Sequence, residues 1–169
     1  MVLNYTAAVA PERAGGRTVG THYRGAKAEV RSLDAWIKLA RACAAVRGRL
    51  EDGLRAAGLT EKELGVLEAL LHLGPLRQCD LGRKQLTSRA NVTLIVDKLV
   101  DRGWVAREAD PEDRRAVRVV LTAAGRRFIG GVFPGHVADV VAAMGALAAA
   151  EQEELARLCR KLGLANARE

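Results

Sequence analysis

One segment of this chain reads as β. It runs from Trp104 to Leu121, where "WVARE" and "AVRVVL" flank the charged turn "ADPEDRR". In the second run Val117, Val119 and Leu121 alternate with Ala116, Arg118 and Val120, the period of two that a half-buried strand requires. The pair is expected to form a hairpin with Arg114 and Arg115 at its tip and Asp110, Glu112 and Asp113 beside them. The rest of the chain is helical in character. Ala and Leu dominate an apolar fraction of 49%, and only 4% of residues are aromatic, which favours helices over a β-sandwich. A length of 169 residues suits one domain, or a small domain with long helical arms.

Residues 1–25 carry Pro11, several Gly and scattered Arg without a period, and read as a loose arm. From about Ala28 to Ala57 the positions Val30, Leu33, Ile37, Ala40, Ala44, Leu50 and Leu54 recur at three-and-four spacing, as in a long amphipathic helix. Gly58 ends it. "TEKE" at Thr60–Glu63 is a capping box that opens a second helix, "KELGVLEALLHL", stopped by Gly74-Pro75. A short helix, "LRQCDLGRKQ", is expected next, then a turn through Leu86-Thr87. A further helix follows, "SRANVTLIVDKLVDRG", with Val92, Ile95, Val96, Leu99 and Val100 on one stripe and Gly103 as its stop. After the hairpin Thr122 caps a long helix that Pro134 is expected to kink or divide, and "AEQEELARLCRKLG" forms the last.

Helix, helix, two helices joined by a tight turn, basic hairpin, helix, helix: this order describes a winged helix-turn-helix within a mainly α (α+β) fold. The expected division is an arm at 1–25, a dimerisation helix at 26–59, a DNA-binding lobe at 60–122 and C-terminal dimerisation helices at 123–169, the whole a two-fold dimer.

The charge agrees. Of a net +7, the span Arg77–Arg127 holds twelve Lys/Arg against seven Asp/Glu, and residues 1–59 hold ten against five. Such uneven positive charge is expected of a polyanion binder. Cys43, Cys79 and Cys159 form neither a disulfide framework nor a metal pattern, and they read as buried or idle. His22, His72 and His136 lack metal-ligand spacing. The longest apolar run, "VADVVAAMGALAAA", is too short for a bilayer, and the N-terminus lacks a signal-peptide core. A cytoplasmic protein without metal, cofactor or catalytic residues is expected, since no nucleophile–base pair or carboxylate cluster stands out.

A helix entering the major groove presents polar residues at its N-terminal end. Here these are Ser88, Arg89, Asn91 and Thr93. Arg suits guanine O6/N7 and Asn suits adenine N6/N7, and the hydroxyls suit phosphates or bases. Ala90 and Leu94 could touch a thymine methyl, whereas Asp97 and Asp101, further along the same face, would repel phosphates. The competing reading of these residues is a solvated helix face. At the hairpin tip an Arg can enter the narrow minor groove, where the negative potential is enhanced. Asp113, two residues before Arg115, is placed to hold its guanidinium. The competing reading is a surface salt bridge, worth under about 1 kcal/mol.

These residues resemble the MarR regulators (multiple antibiotic resistance regulators) over roughly residues 26 to 163. "DPEDRR…VRVVLTAAG", "NVTLIVDKLVDRGWVAR" and "GLTEKELGVLEAL" carry the resemblance, and the tail "VFPGH…EQEELARLCRKLG" is similar to a branch responding to quinones and phenolic compounds. The resemblance implies a minor-groove role for Arg115 with Asp113 in support, and a place near the backbone for Arg114. It implies recognition contacts at Arg89, Ala90, Asn91 and Thr93, and an obligate dimer through the first and last two helices. It further implies a pseudo-palindromic operator released by a small aromatic or phenolic ligand. Trp36, His72 and His136 are candidates for lining that ligand's pocket, although Trp36 and Trp104 read first as core residues. Peroxide-sensing relatives carry a reactive Cys near the start of the first helix with Tyr partners; Cys43 lies further along and no Tyr follows it. The alternatives are a thiol-based redox-sensing repressor and an architectural protein without sequence preference.

Overall fold

The computed structural model describes residues 21–84, 88–113 and 115–166, with the Arg89 side chain outside that set. Most of the expected arm, the Leu86-Thr87 turn, Arg114 and the last three residues therefore fall outside the described residues. The chain divides into two units, 1–49 and 50–169. Helix α1, Lys27–Ala56, runs through the boundary. In the first unit Glu29 accepts from the Ala26 N–H (2.9 Å) and the Tyr23 hydroxyl (3.1 Å), which places a carboxylate at the positive end of α1. Trp36, expected in a core, is 63% exposed, and Leu33 is 38% exposed. The apolar periodicity is real, but among the described residues of this unit nothing covers it.

The second unit is built on α2 (Glu61–Leu73), β1 (Leu76–Arg77), α3 (Gln78–Lys84), α4 (Arg89–Asp101), β2 (Val105–Ala109), β3 (Val117–Leu121), α5 (Ala123–Met144) and α6 (Ala149–Asn166). Most boundaries follow from local chemistry. Gly58 (φ 69°) and Gly103 (φ 70°) take up the left-handed conformation after α1 and α4. In each case the next two N–H groups reach back to carbonyls of the last turn: Gly58 to Arg55 and Leu59 to Leu54, Gly103 to Val100 and Trp104 to Leu99. This is the Schellman arrangement, which glycine adopts without a Cβ clash. At the start of α2 the Thr60 hydroxyl accepts from the Glu63 N–H, and the Glu63 carboxylate accepts from the Thr60 N–H, closing the capping box.

Three expectations change. Leu76 and Arg77 form a strand instead of opening a helix: Leu76 pairs with Val119 and Arg77 with Arg118, giving an antiparallel sheet of order β1-β3-β2. Covering one edge of the hairpin is what this dipeptide gains by leaving the helix. Val117, expected on the inward face, is 45% exposed while Val119 is fully buried, because the hairpin projects beyond the helices that cover its base. Of the kink or division expected at Pro134, the division does not occur: α5 is continuous through it. Pro134 and Gly130 are both exposed, so the carbonyl deprived of its N–H partner can be met by water.

The core joins Leu64, Val66, Leu67 and Leu70 of α2, Leu81 of α3, Val92, Val96 and Leu99 of α4, Val105 and Val119 of the sheet, and Ile129 of α5. The stripe read from α4 is the stripe it buries. α5 is seated on the sheet by "LTAAG". The Thr122 hydroxyl accepts from the Gly125 N–H (2.9 Å) and donates to the Gly103 carbonyl (2.7 Å), and the Thr122 N–H donates to the Trp104 carbonyl (3.0 Å). A Cβ at Gly125 would overlap that Trp104 carbonyl. The Trp104 ring stacks on Phe128 at 3.8 Å, half-buried at the edge of the core as expected.

Candidate nucleic-acid interface

The N-terminal end of α4 is open to solvent. Ser88 is its N-cap, in extended conformation, with its hydroxyl accepting from the Asn91 N–H. Ala90 and Asn91 are exposed, and Leu94 is 60% exposed. Thr93 differs from its neighbours: it is half-buried, and its hydroxyl accepts from Gln78 Nε2 at 3.1 Å. It therefore ties α3 to α4. Arg77, Gln78, Cys79 and Thr93 form one side of a hollow of about 400 Å³ whose other side is Ala116 and Val117 at the start of β3. The front of the helix pair and the foot of the hairpin thus border one concave surface.

Asp97, expected to repel phosphates, is paired with Arg107 of β2 at 2.5 Å. The pair links α4 to the hairpin while cancelling the carboxylate's charge. Arg118 lies opposite Glu108 and close to it (3.5 Å).

At the tip, Asp113 Oδ1 accepts from the backbone N–H of Arg115 (3.0 Å), and the Ala116 N–H donates to the Asp113 carbonyl (2.8 Å). No ion pair among the described residues joins the Asp113 and Arg115 side chains. The carboxylate orders the turn through the backbone and leaves the exposed Arg115 side chain to extend outward.

Asp110 is the residue that sequence reasoning underrated. Read as one of several turn charges, it is 8% exposed and bonded to Arg77 Nε at 2.7 Å. It also accepts from the Glu112 N–H (2.9 Å), and its own N–H donates to the Ala116 carbonyl (3.0 Å). The Arg77 hydrogen bond, helped by the backbone N–H groups of Glu112 and Asp113, pulls its carboxyl down from 3.8 to about 2. Arg77 is correspondingly raised by the same bond. β1 is thus strapped to the base of the turn. The partners lie 33 residues apart, so no local pattern could have announced them.

Of the expected ligand-pocket residues, His72 and His136 both neighbour the Phe133 ring, and Trp36 belongs to the other unit. His72 is exposed, its ring edge-on to Phe133 at 5.1 Å, while His136 lies 6.4 Å from the same ring. His136 borders a hollow of about 310 Å³; His72 does not. Cys43, Cys79 and Cys159, read as buried or idle, are all exposed. Among the described residues no group of three His, Cys, Asp or Glu could hold a metal. No single helix among them is long and apolar enough to cross a membrane.

Known proteins share this arrangement. The MarR family model matches residues 59–117, from the start of α2 to the start of β3. The regulator MhqR of Bacillus subtilis is 32% identical over 136 residues, covering 79% of this chain and 92% of MhqR. Among solved structures, Sco3205 of Streptomyces coelicolor, a MarR family regulator in complex with DNA, superposes with a TM-score of 0.76 at 26% identity, covering 87% of this chain and 93% of that one. BpsR of Bordetella bronchiseptica, whose DNA binding is regulated by 6-hydroxynicotinic acid, superposes with a TM-score of 0.69 at 28% identity over 77% of this chain and 91% of BpsR. The capped, open-ended α4, the strapped hairpin and these matches agree, and the chain belongs to the MarR family of transcriptional regulators.

Proposed function

We propose that this chain is a homodimeric, sequence-specific DNA-binding repressor of a pseudo-palindromic operator, released by a small aromatic or phenolic ligand. The observation that carries the DNA reading is an α4 whose capped N-terminal end is exposed, tied through Asp97–Arg107 to a hairpin that carries the exposed Arg115. Ser88, Arg89, Ala90 and Asn91 stand where a recognition helix meets base edges, with Thr93 fixing the helix to α3. Arg115, carried outward on a turn ordered by Asp113, reaches the minor groove. The DNA complex of Sco3205 and the ligand regulation of BpsR support the reading by analogy.

Pairing rests on surface chemistry. α6 has no buried residue over its 18 positions, and Leu158, Leu162 and Leu164 are exposed, as are Val137 and Val141 of α5. Apolar surface on that scale marks an interaction face, and a second copy is the partner that places two recognition helices about one DNA turn apart, roughly 34 Å.

Selection of duplexes from a random pool tests the proposal: an enriched inverted repeat is expected. A pool that emerges without sequence preference would point to an architectural role instead. The exposed cysteines favour no thiol mechanism by themselves; loss of operator binding on mild peroxide treatment, absent from the triple Cys→Ser variant, would be needed to support one.

A further inference from the structure

We infer that the hollow between the end of α1 and the middle of α5 is a binding site for a small aromatic ammonium ion, which rests on the ligand-release part of the proposal above and names the class of ligand. The hollow measures about 310 Å³, at the lower end of the range for small-molecule sites. Leu54 and Ala57 form its wall on the α1 side, and Val132, Gly135, His136 and Asp139 on the α5 side. The lining is apolar except for His136 and Asp139, and it contains neither Lys nor Arg.

Asp139 is the unusual member. It is half-buried, and no hydrogen bond or ion pair among the described residues engages its carboxylate. Oδ2 lies over the backbone of Gly53, so close that a Cβ there would stand 2.6 Å away. Gly53 is the residue that leaves it room. The neighbouring turn is the C-terminal end of a 30-residue helix, where the aligned peptide dipoles leave a partial negative charge. Its basic residue, Arg55, is held by Asp52 at 3.0 Å and does not line the hollow. A carboxylate and a helix C-terminus therefore face the same small space without a resident cation.

That electrostatic pattern selects the occupant. A second carboxylate would meet two negative groups at reduced dielectric, whereas an ammonium group is attracted by both. Leu54, Val132 and Ala57 offer an apolar surface for a ring. The His136 imidazole, on the α5 wall, offers a hydrogen-bonding edge for a phenolic hydroxyl. An arylalkylamine satisfies all of these together.

The test is calorimetric titration of the full chain, without DNA, using tyramine, tryptamine and 4-hydroxyphenylacetate. Tyramine and 4-hydroxyphenylacetate share a ring and differ in the sign of the terminal charge. The amines are expected to bind at least about tenfold tighter than the acid, and Asp139→Asn is expected to weaken them roughly ten- to a hundredfold, the usual range for one charge-assisted contact. The variant's thermal midpoint, measured alongside, should match the wild type. Equal or tighter binding of the acid, amine affinity unchanged in Asp139→Asn, or no binding of either amine would overturn the assignment. Operator binding by the same preparation is read separately. A protein that holds its operator but no amine refutes the ligand class alone, and one that binds amines but no duplex refutes the DNA reading alone.

Discussion

Two residues divide the work of the proposed interface, and their variants should fail differently. Arg115→Ala removes a cation from the hairpin tip without touching the α4 surface. Gel-shift titrations should show binding weakened by roughly tenfold, a log–log salt dependence flatter by about one, and an unchanged selected motif. Asn91→Ala should relax preference at one position per half-site by about 1–3 kcal/mol; the same motif selected by variant and wild type would count against α4 as the reading helix. Asp110 makes a prediction about acid. Its carboxyl is lowered to about 2 from 3.8, so the stability it adds is complete above the ordinary value and is lost as pH falls through the lowered one. Unfolding midpoints of Asp110→Asn should therefore lie below wild type at neutral pH, and the gap should close between about pH 4 and pH 2. A constant gap across that window would show that the charge of Asp110 is not what matters.

The elements are held to one another by few, specific devices. "LTAAG" works as a seat: the Thr122 hydroxyl serves the start of α5 and the turn before β2 at once, and the bare Cα of Gly125 lets the helix rest on the Trp104 carbonyl. Gly125→Ala must push α5 off the sheet, at a cost of about 1–3 kcal/mol or more. Thr122→Ala loses the cap at about 1 kcal/mol. Denaturant melts of both should preserve this order, and an Ala at 125 without effect would mean that α5 is not seated there. The hairpin is fixed at two places, by Arg77–Asp110 from β1 and by Asp97–Arg107 from α4. Its tip therefore keeps a set position relative to the exposed end of α4.

For the whole molecule the decisive fact is the amount of apolar surface left outside. An 18-residue helix with no buried position is a poor structure for an isolated chain, because most helical stability in proteins comes from burying one face. In sedimentation, wild type should run as a dimer. Leu158→Glu with Leu162→Glu should yield a monomer or a much weaker dimer, with operator affinity falling in parallel. A double variant that stays dimeric would move the pairing surface elsewhere.

The sequence by itself determined what depends on neighbours along the chain. Caps, left-handed glycines and the buried stripe of α4 were legible because a cap spans three residues and a helical face repeats every three or four. The hairpin was legible for the same reason, as a period of two around a charged turn. What only the tertiary structure decided lies between distant residues. Leu76–Arg77 joins a sheet because Val119 and Arg118 arrive beside it; Asp110 is buried because Arg77 reaches it across 33 positions; Thr93 turns to Gln78. Cys79 and Cys159 are exposed for the complementary reason, that no distant segment among the described residues of their unit covers them. Local sterics and hydrogen bonds act over a few bonds and are written in order, whereas burial and ion pairing depend on which parts of the path meet in space.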